Sequence, residues 1–191
     1  LFLACVRLTP ISRCWPSSAA SDVYKGQFGA GVGVTITGDG NAVFSGITTV
    51  TDFEATGTLV EAFSSTTTAY SSSGDLNISN GNLQFCSANL AGTNNTLNIM
   101  STTGINTDLA VGQALNVTAI TAVNAATAYV NALKIDGVLS SVWWNGGSSP
   151  IDGGSTGVDM YTFNIVKTGN ATYHVVGNQT KTSLGGLNDV R

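Results

Sequence analysis

Leu76-Asn77-Ile78-Ser79-Asn80-Gly81-Asn82-Leu83-Gln84-Phe85 is the stretch on which the fold turns. Apolar and polar side chains alternate on both sides of Asn80-Gly81, a period of two that sets Leu76 and Ile78 on one face of a strand and Asn77 on the other. Asn-Gly tolerates positive φ, so two alternating runs around it predict a β-hairpin closed by a tight turn. The same pattern occurs earlier: Gly33-Val34-Thr35-Ile36-Thr37 alternates, Gly38-Asp39-Gly40-Asn41 supplies turn residues, and Ala42-Val43-Phe44 resumes. The two segments align with one residue of slippage, Val34 on Leu76, Ile36 on Ile78 and Phe44 on Phe85, as a weak internal repeat.

The alternation recurs along the chain. Leu76-Asn77-Ile78, Leu97-Asn98-Ile99 and Leu115-Asn116-Val117 each put two apolar side chains on one face, at spacings of 21 and 18 residues. A β-solenoid holds its period more strictly, so strands at such loose intervals favour a sandwich. Further strands are expected over 58–63, 129–135, 141–144, 160–166 and 172–176. Turn chemistry is expected at Asp136-Gly137, Asn145-Gly146-Gly147 and Asp152-Gly153-Gly154. Residues 120–133 are Ala-rich enough for a helix by propensity, but their Thr and Val content favours mostly strand. No apolar run is long enough to cross a bilayer, so membrane insertion is not expected.

Residues 1–27 differ from the rest, with two of the 3 Cys (Cys5, Cys14), two of the 3 Pro and three of the 7 basic residues. The apolar run from Leu1 to Val6 is too short for a secretory signal. The string LTPISRCWPSSAASDVYK (8–25) closely resembles translated sequencing-adapter read-through, departing at Gly26, so 1–27 is expected to be an artefactual, disordered leader. Without it, four basic residues face ten acidic ones, a net charge of −6. Such a chain has no basic surface for a nucleic-acid backbone, and nucleic acid is not an expected partner. Only 9% of the 191 residues are charged, so Ser, Thr and Asn must supply the surface polarity.

Catalytic signatures do not emerge. Cys86, the one cysteine left, alternates with Phe85 in an apolar stretch and reads as a buried thiol. The only histidine, His174, shares its strand with Tyr173 and Val175 on the opposite face, and a lone His is not a metal site. Asp159 precedes it in the chain without thereby forming a dyad. Glu54 and Glu61, the only glutamates, are not paired as a glycosidase requires. The Asp-Gly pairs fit no EF-hand or calcium β-roll spacing and read as turns. Five N-x-[ST] sequons, beginning at Asn77, Asn94, Asn116, Asn170 and Asn178, follow from composition. No catalytic residue, metal site or cofactor is therefore expected. The candidate binding residues are Trp143 and Trp144, adjacent in a strand and so pointing to opposite faces. The outward ring could stack on a sugar or sit in a subunit interface.

Two segments carry a resemblance. GVTITGDGNAVFSGITTVTDF (33–53) looks like repeats in tail-fibre and related virion structural proteins of marine tailed bacteriophages, particularly those infecting cyanobacteria. Ile135-Asp136-Gly137, then VWWNGGSSP (142–150), then VDMYTFNIVKT (158–168) is similar to a closing module of those proteins, a W-x-G-G-x-x-P turn before a YTF-x-I-x-K strand and a final hairpin. The matches cover most of 31–182, and the chain departs from the module over 170–182, where the terminal strand is more polar. The resemblance implies an extracellular virion component, with a homotrimer as the expected assembly and no catalytic residues to carry over. Edge Lys and Pro are nearly absent after residue 27, so pairing with sister chains in a homotrimer would protect the sheet edges.

The expected fold is thus all-β: a short shaft-like β repeat over 28–56, an antiparallel β-sandwich or jelly-roll-like head over 57–182, and a disordered tail over 183–191. The expected role is a structural tail-fibre or appendage subunit attaching to a host-surface glycan. The alternative is a carbohydrate-binding module of a secreted bacterial protein or adhesin.

Overall fold

The computed structural model describes the backbone of 24–27, 33–36 and 42–45, and residues 61, 63–71 and 74–182 in full. The chain divides into two units, Leu1–Thr58 and Leu59–Arg191. In the first, β1 (Tyr24–Gln27), β2 (Gly33–Ile36) and β3 (Ala42–Ser45) form an antiparallel sheet in that order. β2 and β3 pair antiparallel, with Ile36 opposite Ala42 and Gly33 opposite Ser45, while the turn residues expected between them, Gly38-Asp39-Gly40-Asn41, lie outside the described residues. Setting aside 1–27 on composition omits β1, which pairs with β2 from Tyr24↔Ile36 to Gln27↔Gly33. Sheet pairing runs through the backbone, so an atypical composition does not prevent it. The remainder of 1–27 and the tail over 183–191 lie outside the described residues.

The second unit is all-β. A six-stranded sheet holds β4 (Phe63–Thr66), β6 (Leu83–Asn89), β8 (Ala114–Val123), β11 (Val142–Trp144), β12 (Gly157–Gly169) and β13 (Thr172–Lys181), in the order β11-β13-β12-β8-β6-β4. A four-stranded sheet holds β5 (Asp75–Asn77), β7 (Asn95–Met100), β9 (Val130–Ile135) and β10 (Val138–Ser140), in the order β10-β9-β7-β5. From β4 to β9 the chain alternates between the sheets, and each strand pairs in parallel with the next one in its own sheet. Antiparallel pairing enters with the β9–β10 hairpin and with β12, which lies between β8 and β13.

Both sheets are therefore mixed, where an antiparallel sandwich was expected. The stretch 76–85 accounts for the difference. It is not a hairpin: Leu76 belongs to the small sheet and Leu83 to the large one, and a 3-10 turn, Ile78–Asn80, carries the chain across. The Asn77 side chain accepts from the Ser79 N–H at 3.0 Å, and the Gly81 N–H (φ 122°) closes the turn on Ile78 O at 3.0 Å. Gln84 Nε2 donates to the carbonyls of Asn77 at 3.1 Å and Gly81 at 2.5 Å, satisfying the bend. This crossover brings Leu76 and Cys86 into the core from opposite sides, which a flat hairpin cannot do.

One core lies between the sheets. Leu76, Leu97, Ile99, Leu133 and Ile135 enter from the small sheet, and Val117, Tyr161, Phe163, Ile165 and Val175 from the large one. Each such side chain, when fully buried, contributes roughly 1.5–3 kcal/mol. Residues 120–133 contain no helix: β8 runs to Val123 and β9 starts at Val130. Asp136-Gly137 forms a two-residue turn with both φ positive, 49° and 81°, matching the twist of the hairpin it closes. The Asp136 carboxylate also accepts from the N–H groups of Ile105 (3.0 Å) and Asn106 (3.1 Å) at the start of the short α1 (Ile105–Asp108). Lys167, buried on β12, donates Nζ to the carbonyls of Asn106 at 2.5 Å and Leu109 at 2.8 Å, fixing the same loop from below.

Candidate functional site

The short strand β11 ends at the two tryptophans, and their side chains take opposite faces as the alternation requires. Trp144 turns inward, half-buried, and meets Phe163 edge to face at a centroid distance of 5.9 Å. Gly177, opposite Trp144 in the parallel β11–β13 pair, makes room for it: a Cβ there would lie 2.7 Å from Val142 Cγ1 and 3.1 Å from the indole. Trp143 turns outward and stays 66% exposed. Its ring lies over the exposed imidazole of His174, with centroids 5.4 Å apart and planes 29° apart. The pair forms because β11 runs alongside β13, setting Trp143 opposite Val176, two residues beyond His174.

Beyond Trp144 the chain reverses at Gly146 and Gly147, both at positive φ, with the Gly147 N–H donating to Trp144 O at 3.0 Å. Asn145 is held to β13 by its N–H on Gly177 O at 2.8 Å and by its side-chain amide on Asn178 Oδ1 at 3.3 Å. The result is an open groove of about 620 Å³ lined by Ser141, both tryptophans, Gly147, Ser148 and Ser149. It offers aromatic surface beside hydroxyl groups and no formal charge. That chemistry suits a neutral polyhydroxyl ligand, whose C–H faces lie on a ring while its hydroxyls bond to the rim.

The other residues weighed for chemistry are dispersed. Asp159 is fully buried and faces the core, whereas His174 lies on the outer face, so the two form no dyad. The Asp159 carboxylate instead accepts from the Gly154 N–H at 3.0 and 3.1 Å and from Gln179 Nε2 at 3.1 Å. A Cβ on Gly154 would fall 2.6 Å from that carboxylate, so this glycine serves a close approach rather than the turn its sequence suggests. The Tyr161 hydroxyl completes the cluster, accepting from Gln179 Nε2 at 3.0 Å and from the Val130 N–H at 3.1 Å. Burial pushes the Tyr161 hydroxyl well above its ordinary pKa. Nothing in the sequence pattern signalled this buried link between the sheets.

Cys86 is free and buried, its thiol donating to Thr68 O at 3.2 Å. Asp152 pairs with Lys181 at 2.5 Å on the surface. Glu54 and Asp39 lie outside the described residues. Among the described residues, no three of His, Cys, Asp and Glu gather as a metal site, and no helix is long and apolar enough to cross a membrane. No family model, no curated protein and no solved structure matches the chain.

Proposed function

We propose that the chain is a structural subunit of a phage tail fibre or virion appendage, acting outside the cell as a homotrimer that attaches to host-surface glycan. The observation that carries the attachment role is Trp143, held out on an edge strand over His174 beside an uncharged hydroxyl-lined groove. The resemblance of 33–53 and 135–168 to marine phage fibre repeats supports the virion placement. The role is non-catalytic: weak contacts, repeated across copies held in a rigid array, give avidity that no single site has.

The exposed ring also favours a second reading, a carbohydrate-binding module of a secreted bacterial protein or adhesin. Glycan-array binding of the purified chain, with and without Trp143→Ala, separates the two. A fibre subunit binds measurably only when multimeric and loses that binding in the variant; a binding module retains a one-to-one affinity as a monomer. Absence of glycan binding in either state refutes the attachment role. Baseplate or capsid genes flanking the coding sequence are expected under the fibre reading, and flanking glycoside-hydrolase modules would overturn it.

A further inference from the structure

The two outer faces of the second unit differ in charge. On the small sheet, Asp75, Asn98 and Lys134 stand in one cross-strand row, with the Asn98 amide donating to Asp75 at 2.8 Å. On the large sheet, none of the outward positions of its six strands is Asp, Glu, Lys or Arg. The charged residues of β12 and β13, Asp159, Lys167 and Lys181, all occupy the inward register. Glu61, just before β4, borders the face beside Leu83 and Asn116.

This uncharged face is also apolar at one corner. Phe63 pairs with Leu83, and Phe85, Ile120 and Met160 form the next row, with Val158 beyond. None of these six belongs to the core cluster or packs against it, and Phe63 is 58% exposed. The six strands run for 3 to 13 residues, so at about 4.8 Å between strands and about 3.3 Å per residue the face covers roughly 750 Å², close to the ~800 Å² per partner of a standard stable interface. A cationic partner would call for Asp or Glu on this face, and an anionic one for Lys or Arg. A chain of net charge −4 repels its own copies wherever its carboxylates are presented, and least where there are none.

We propose that the outer face of the six-stranded sheet, centred on Phe85, Ile120 and Met160, is the surface through which the chain packs on a second copy of itself. The inference rests on the homomeric reading above and assigns its contact. Trp143 and His174 stand at the diagonally opposite corner of the same face, so packing on the apolar corner leaves the aromatic pair at the rim.

Sedimentation equilibrium of the full chain tests it, alongside Met160→Lys and Phe85→Lys, with Thr96→Lys on the small sheet as control. The wild type and the control are expected to associate at micromolar concentration, and each face variant to raise the dissociation constant about tenfold or more, the effect of at least one unpaired charge in the contact. A monomeric wild type refutes the homomeric reading and the assigned face together; association unchanged in folded face variants refutes only the face. Should the variants not fold, peroxide oxidation of the wild type decides. Met160 and Met100 are the only methionines. Protection of Met160, and not Met100, that grows with protein concentration supports the contact. Protection of Met160 independent of concentration, or none, overturns it.

Discussion

Replacing Tyr161 by Phe isolates the one buried hydroxyl that ties the two sheets together. The side chain is fully buried on β12, and its oxygen accepts from the Val130 N–H of β9 at 3.1 Å and from Gln179 Nε2 at 3.0 Å. Phenylalanine keeps the ring, so no cavity larger than the lost oxygen opens. Gln179 retains Asp152 O and Asp159 as acceptors, each at 3.1 Å, and loses little. The Val130 N–H loses its side-chain acceptor inside the core, and an orphaned buried donor costs about 1–3 kcal/mol.

The expected loss is thus about 2 kcal/mol, or roughly 4–8 °C in Tm for a unit of this size. Tyr70 supplies the internal comparison. It is 3% exposed, yet its hydroxyl has no hydrogen-bond partner among the described residues, so Tyr70→Phe removes a polar atom unsatisfied there and is expected to be neutral or stabilising by up to about 1 kcal/mol. Equilibrium urea unfolding of both variants, with m-values matching the wild type, reads the difference directly. If the two substitutions agree within about 0.5 kcal/mol, the Val130–Tyr161 bond does not hold the sheets and the reasoning fails.

Gly177→Ala places a methyl 2.7 Å from Val142 Cγ1 and is expected to cost about 1–3 kcal/mol, with a shift in tryptophan fluorescence as β11 is displaced; unchanged fluorescence and stability would contradict the packing described. Ala171, at φ 47° in the β12–β13 turn, is strained without a side-chain reason, so Ala171→Gly is expected to stabilise by about 1 kcal/mol in urea melts, and a loss would count against the turn geometry. Burial raises the pKa of Tyr70, Tyr161 and Tyr173 above the ordinary value of 10.0, so the unfolded chain releases these protons first. Their contribution is intact below about pH 10 and falls as pH rises past it toward the folded values; urea midpoints that begin to fall near pH 8 would point to other groups.

The alternation of apolar residues was legible, and with it most of the strands, the opposite faces of Trp143 and Trp144, and the buried position of Cys86; the strand expected over 58–63 instead runs over Phe63–Thr66, with 58–60 and 62 outside the described residues. Pairing was not. Asn80-Gly81 has the local chemistry of a hairpin turn, but whether a turn closes a hairpin or crosses between sheets depends on partners far along the chain. Phe63 finds Leu83, and Ile99 finds Ile135, 36 residues on. Parallel partners at such separations leave no short-range signature. Asp136 shows the same limit: its place in a turn follows from Asp-Gly, whereas its second role, accepting the first N–H groups of α1 some 30 residues earlier, does not. The Trp143–His174 pair was hidden for the same reason, since only the parallel β11–β13 contact brings residues 31 positions apart together.

The strict alternation of β4 through β9 between the sheets has a kinetic consequence. No two consecutive strands in that run are neighbours, so none of its pairings forms until a loop spanning at least one intervening strand has closed. Such non-local pairing slows folding, and the β12–β13 hairpin, with its two-residue connection, is the natural early element. The winding also resists release. A strand such as β6, held in parallel by β4 on one side and β8 on the other, leaves the sheet only by breaking two ladders together. Wherever unfolding is followed by irreversible loss, survival of this fold is set by the rate of that escape more than by the equilibrium it would eventually reach.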